Sequence, residues 1–148
     1  MPKSRLDYFK DTFSFLNDIY SINKGGCCYV AYILAENLEK LHIPYKVIIN
    51  NDCMDDTEII YTNAIKERSR YGIFGHKDYS CSHIWIKTSF GILNDESKYY
   101  KRGKNIELPI NSKDLLWLYK KGSWNSTYKT KNNHLVKEII NSIFEKLW

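Results

Sequence analysis

The punctuation of the chain between residues 25 and 44 restricts its fold more than any other feature. Gly25-Gly26 and Ile43-Pro44 enclose a segment carrying Val30, Ile33, Leu34, Leu38 and Leu41 at spacings of three and four. That stripe is the buried face of one amphipathic helix, predicted over 27–41. Two adjacent glycines sustain a helix poorly and so set its start. The residue before a proline is pushed out of the helical region, which sets its stop. Residues 45–50 (YKVIIN) then read as a strand rich in β-branched side chains. A helix fed directly into a strand buries its apolar face against the sheet that the strand joins.

The remaining segments extend this layout. Leu6, Phe9, Phe13 and Leu16 predict a first amphipathic helix over 5–20. Residues 51–56 form an acidic turn, 57–63 (TEIIYTN) a second strand or edge segment, and 64–71 a short helix. Residues 83–88 (HIWIKT) alternate cleanly, and Ser89-Phe90-Gly91 turns them into 92–96, which makes a β-hairpin. Ser112 is placed to cap a helix running to 121 with Leu115, Leu116 and Leu118 inward. A last helix from about 134 carries Leu135, Ile139, Ile140, Ile143, Phe144 and Leu147. No internal repeat is visible. The expected class is α+β, in one domain over 1–148, because two domains cut from 148 residues would each have a marginal core.

Composition excludes several alternatives. Twelve Tyr, six Phe and four Trp supply far more apolar material than a disordered chain carries. The first eleven residues carry Lys3, Arg5, Asp7, Lys10 and Asp11 and no apolar run, unlike a secretory leader. Nothing approaches the roughly 18 consecutive apolar residues of a membrane span, so the expectation is a cytoplasmic protein without membrane association. In that setting Cys27, Cys28, Cys53 and Cys81 stay reduced. With no Cys-x-x-Cys pair among them, they are catalytic, metal-binding or core residues rather than disulfides.

One of the four stands where chemistry is favoured. A thiolate nucleophile needs a lowered pKa, a base and donors for a developing oxyanion. The first turn of a helix supplies unsatisfied N–H groups and the positive end of the macrodipole. Gly25-Gly26-Cys27 has that placement, with glycines that admit a substrate backbone and a Cys27 N–H able to face an oxyanion. A histidine on a neighbouring strand completes a thiolate–imidazolium pair, and a carboxylate or amide on the next strand orients the imidazole. Cys28 lies about 100° further round the helix and reads as a packing residue.

The stretch Gly25-Gly26-Cys27-Cys28-Tyr29-Val30-Ala31, running through Leu34, Leu38 and Leu41 to Ile43-Pro44, resembles the core of the transglutaminase-like superfamily. Proteins of that group carry Gly-x-Cys-x-x-x-Ala on a helix, then Gly-Ile-Pro entering a strand; here His42 stands in place of that glycine. Their His-x-Trp strand and following strand ending in Asp are matched by His83-Ile84-Trp85 and by Gly91-Ile92-Leu93-Asn94-Asp95. The resemblance covers residues 25–96, about half of the chain. It implies a transglutaminase/papain-like core, a nucleophile-bearing helix packed on an antiparallel β-sheet. Cys27 is the implied nucleophile, His83 the base and Asp95 the orienting acid. Asn94 is the alternative third member if the hairpin register shifts by one residue. Gly25, Gly26 and Trp85 are the implied substrate-binding positions. The implied activity is hydrolysis, or amine transfer, at amide bonds of a peptide or protein, with no cofactor and no metal.

Other readings stand beside this one. His83 shares its strand face with Trp85 and Lys87, the more polar side, and Trp85 serves equally as a cleft wall or a core tryptophan. Cys81 and His83 with Cys27, Cys28 and Cys53 form a possible Cys/His zinc set, at spacings unlike the usual knuckles. A nucleic-acid module is suggested by two basic stretches laced with rings: Lys98-Tyr99-Tyr100-Lys101-Arg102-Gly103-Lys104, and Tyr119-Lys120-Lys121 with Trp124, Tyr128, Lys129 and Lys131. A formal net charge of +5 is moderate and does not choose among partners. A fold that has lost catalysis and retains binding is the alternative to an active enzyme.

Overall fold

The structure is a computed structural model that describes residues 4–20, 27–51, 83–94, 104–121 and 133–148. In chain order the elements are α1 (Arg5–Tyr20), α2 (Cys27–Lys40), β1 (Lys46–Asn51), β2 (His83–Thr88), β3 (Gly91–Ile92), β4 (Lys104–Leu108), α3 (Ser112–Lys121) and α4 (Asn133–Leu147). The strands form an antiparallel sheet in the order β3-β2-β1-β4, a mixed α+β arrangement. The strand predicted at 57–63 and the short helix at 64–71 lie outside the described residues. β4 is an element the sequence reading did not foresee. KNIEL follows a basic, tyrosine-containing stretch, and its short alternation resembles that of a loop.

The helix boundaries follow from local chemistry. Ser4 and Asp7 cap α1 reciprocally: the Asp7 N–H donates to Ser4 Oγ at 3.2 Å and the Ser4 N–H donates to Asp7 Oδ2 at 3.3 Å. Asn111 and Asp114 repeat that box at α3, each side chain accepting the other's N–H at 3.1 Å. Asn111, rather than the expected Ser112, is therefore the cap. Ser112 is the first helical residue, and its hydroxyl is free to serve a tertiary contact.

At its C-terminus α2 ends in a Schellman turn. The His42 N–H donates to the Glu39 carbonyl at 3.1 Å and the Ile43 N–H to the Leu38 carbonyl at 2.9 Å. His42 occupies the left-handed position of that turn, with φ 55°. A residue without Cβ adopts that conformation freely, and a histidine does so under strain.

The core lies between the sheet and the helices. β1 and β2 direct Val47, Ile49, Ile84 and Ile86 into one apolar cluster with Val30, Ile33, Leu34 and Leu38 of α2. Leu115 of α3 and Val136, Ile140 and Phe144 of α4 join from the far side of α2. Two residues expected in the core are exposed instead: Leu41, at the turn where α2 ends, and Leu135, on the outer side of α4, where Val136 takes the inward place.

α1 closes the structure over the hairpin. Phe9 meets Phe144 edge-on at 5.2 Å, and Trp148 stacks on Phe144 at 5.3 Å while touching Phe90 at the hairpin tip. Neither Ser89 nor Phe90 takes positive φ, so the reversal is completed at Gly91, with φ 129°. Leu6 of α1 lies directly over Gly91, its Cδ2 2.9 Å from where a Cβ would stand.

Candidate functional site

α2 begins at Cys27, so the residue singled out in the sequence is the first of the helix. No acidic residue falls in that first turn to oppose an anion there. Gly25 and Gly26 lie outside the described residues. The next residue, Cys28, is fully buried and its thiol donates to the Leu115 carbonyl of α3 at 3.5 Å. That contact makes Cys28 the packing residue expected from its position on the helix.

The start of α2 is walled by phenols. The Tyr29 and Tyr119 rings lie 5.0 Å apart, and the Tyr29 hydroxyl donates to the Asn133 carbonyl at 3.5 Å, linking α2, α3 and the start of α4. Burial, followed by the proximity of Tyr119 and Glu36, raises the Tyr29 pKa. Tyr32 is pushed up to about 12, first by burial and then by its hydrogen bond to Glu36 at 2.8 Å. Both phenols are neutral donors near pH 7, and neither is a base. Tyr119 is 7% exposed, so this ring of the second basic stretch packs in the core and is not offered to a nucleic-acid base. The rest of that stretch beyond Lys121, and residues 98–103 of the first, lie outside the described residues.

β2 begins at His83, whose backbone is opposite Asn50 of β1. The register continues through Trp85↔Ile48 to Lys87↔Lys46. Position 83 is thus in step with Trp85 and Lys87, and out of step with Ile84 and Ile86, which meet α2. The expected polar character of the 83–85–87 side holds at exposed Lys87 and not at Trp85, which is 2% exposed.

The third strand is shorter than the predicted 92–96. Its ladder ends at Ile92, where Leu93 still donates its N–H to the Ile86 carbonyl at 3.0 Å. From there a side chain takes over from the backbone. Asn94 Oδ1 accepts the Ile86 N–H at 2.9 Å, and Asn94 Nδ2 donates to the Ile84 carbonyl at 3.0 Å. At Asn94 the β2 backbone therefore has its hydrogen bonds satisfied by a side chain. The Asn94 amide is buried and engaged with β2 through both of its polar atoms. Asp95 lies outside the described residues.

Sequence reasoning missed a second polar contact, at the other end of α2. Glu39 receives the Ser112 hydroxyl at 2.6 Å and the Ser112 N–H at 3.0 Å, and it also accepts the Tyr45 hydroxyl. One carboxylate thus ties α2 to the N-terminus of α3 and to the entry of β1. Burial works against the charge of Glu39, but the bonds from Ser112 and Tyr45, with Lys113 nearby, outweigh it and lower its pKa. Burial first, then the Glu39 contact, raises Tyr45. Glu39 and Ser112 are 73 residues apart, and no local pattern links them. The Asn111-x-x-Asp114 box, by contrast, was available as a motif.

Two members of the possible zinc set, Cys53 and Cys81, lie outside the described residues. Among the described residues no three His, Cys, Asp or Glu side chains gather as metal ligands, and no helix is long and apolar enough to cross a membrane. Comparison with protein-family models, curated proteins and solved structures gives no match to this chain.

Proposed function

We propose that the protein is a cysteine-dependent acyl-transfer enzyme of the transglutaminase-like kind, acting on amide bonds of a peptide or protein. In this reading Cys27 attacks the carbonyl carbon, His83 takes the thiol proton and returns it to the leaving amine, and Asp95 orients the imidazole. Water then releases the acyl group, which makes the enzyme a peptidase or deamidase; an amine in place of water makes it a transferase.

The observation that carries the reading is the order of elements around Cys27. The helix that begins at Cys27 packs on β2, the strand that begins at His83. β2 is flanked by β1, which follows the helix, and by β3, which leads to Asn94-Asp95. Lengths support a meeting of Cys27 and His83. From Lys40 back to Cys27 the helix extends about 20 Å. From Lys46 to Asn50, opposite His83, the strand extends about 13 Å in the returning direction. Both residues then fall at the end of the domain away from the 41–45 turn. The engagement of Asn94 with the β2 backbone favours Asp95 over Asn94 as the third member.

A second reading, a non-catalytic binding fold, draws on the strand register. Position 83 is out of step with the side of β2 that packs on α2, so a Cys27–His83 pair has to form around the end of the sheet and not across its buried face.

Acylation separates the two. An activated ester such as p-nitrophenyl acetate, followed by peptide mass spectrometry, should give an adduct on Cys27 and none on Cys28. The adduct should fall to background in His83→Ala. Equal slow labelling of both variants supports the binding fold.

A further inference from the structure

The far end of the β1–β2 pair holds a cleft of about 370 Å³ lined by Pro44, Tyr45, Lys46, Lys87, Thr88 and Ser89. Its charge is one-sided. Lys46 and Lys87 are direct cross-strand partners, an arrangement of like charges that destabilises a sheet unless an anion intervenes. Lys46 has partial relief from Glu107 on β4, whose carboxylate is 3.6 Å from its ammonium. Lys87 is exposed and, among the described residues, makes no ion pair. The Thr88 hydroxyl donates to the Gly91 carbonyl and the Tyr45 hydroxyl to Glu39. The ammonium groups of Lys46 and Lys87 are the cations lining the cleft.

We infer that this cleft binds a carboxylate side chain of an acidic peptide segment, seated between Lys87 and Lys46. A carboxylate there does on β2 what Glu107 does for Lys46 on β4: it breaks the like-charge pair with an alternating row of charges. The cleft exceeds the needs of a lone ion and falls in the size range of a small-ligand pocket. The aliphatic lysine stems, Pro44 and the Tyr45 ring offer apolar contact to the chain that carries the acid. The inference does not depend on Cys27 being a nucleophile. It sets an acidic side chain about 13 Å, four strand residues, from position 83.

Fluorescence polarisation with a labelled hexaglutamate peptide at low salt tests this, with hexaglutamine as the neutral counterpart and Lys10→Glu as a variant of equal charge change on α1, at a residue that does not line the cleft. The expected result is binding of hexaglutamate alone, weakened about tenfold by Lys87→Glu and no more than about twofold by Lys10→Glu. Lys87→Ala, which removes the charge without reversing it, should fall between them. Equal losses in Lys87→Glu and Lys10→Glu would show attraction to net charge and overturn the site. Absence of hexaglutamate binding, or binding of inorganic phosphate that is sensitive to Lys87→Glu while the peptide is not bound, would also overturn it.

Discussion

Replacing His42 by glycine should stabilise the protein, and the size of the gain follows from one dihedral angle. His42 sits at φ 55° in the turn that ends α2. A side chain with a Cβ pays about 1–2 kcal/mol for left-handed backbone. Glycine removes that strain but loses more freedom on folding, by roughly 0.5–1 kcal/mol. His42 is exposed, so its ring gives up little packing. The net expectation for His42→Gly is a gain of about 0.5–1 kcal/mol, or roughly 1–4 °C in Tm for a chain of this size. His42→Val, β-branched and least tolerant of positive φ, should lose about 1 kcal/mol or more. Thermal melts followed by circular dichroism, paired with urea titrations of unchanged slope, measure both. An unchanged or lowered Tm for His42→Gly, or a valine variant as stable as the parent, would refute the strain argument. The same substitution should leave Cys27 reactivity unaltered, because a glycine here belongs to the helix cap and takes no part in chemistry.

Three further substitutions probe the elements that hold the candidate site. Gly91→Ala combines a positive φ with a Cβ 2.9 Å from Leu6 Cδ2, and should cost about 1–3 kcal/mol in urea unfolding; adding Leu6→Ala should recover none of the backbone component. Asn94→Ala strands the Ile86 N–H and the Ile84 carbonyl and should cost about 2–4 kcal/mol; Asn94→Asp, which faces the Ile84 carbonyl with an acceptor, should be nearly as damaging. Glu39→Gln should cost up to about 1 kcal/mol near neutral pH, because the residue is exposed and solvent screens its charge. Because the folded protein holds the Glu39 carboxyl below its ordinary 4.5, that contribution is complete above this value and disappears as the pH falls through the lower folded pKa. Wild-type and Glu39→Gln stabilities, compared from pH 7 to pH 3, should therefore converge only at the acidic end.

Helices α1 to α4 were readable in the sequence because each carries apolar residues at helical spacing over at least ten positions, and β2 because its alternation is strict. The misses have physical causes. β4 is five residues long and joins the sheet beside β1, far from it in sequence. The 92–96 strand was over-extended because a buried asparagine amide imitates two rungs of a ladder, which periodicity cannot reveal. Leu41 and Leu135 fit the apolar stripes of their helices, yet one falls at a turn and the other on an outer face, where tertiary placement decides. At the site, Cys27 at the head of α2 and His83 at the head of β2 followed from glycines, a proline and alternation. The Glu39–Ser112–Tyr45 contact needed the tertiary structure.

The most direct test of the account is the rate of Cys27 alkylation by iodoacetamide as a function of pH, resolved by peptide mass spectrometry in wild-type protein and in His83→Ala. The Cys27 thiolate should form well below the reference value of about 8.5, with that shift largely lost in folded His83→Ala while Cys28 stays protected in both. A Cys27 that titrates near 8.5 in the wild type, with a profile unchanged by His83→Ala, would contradict it.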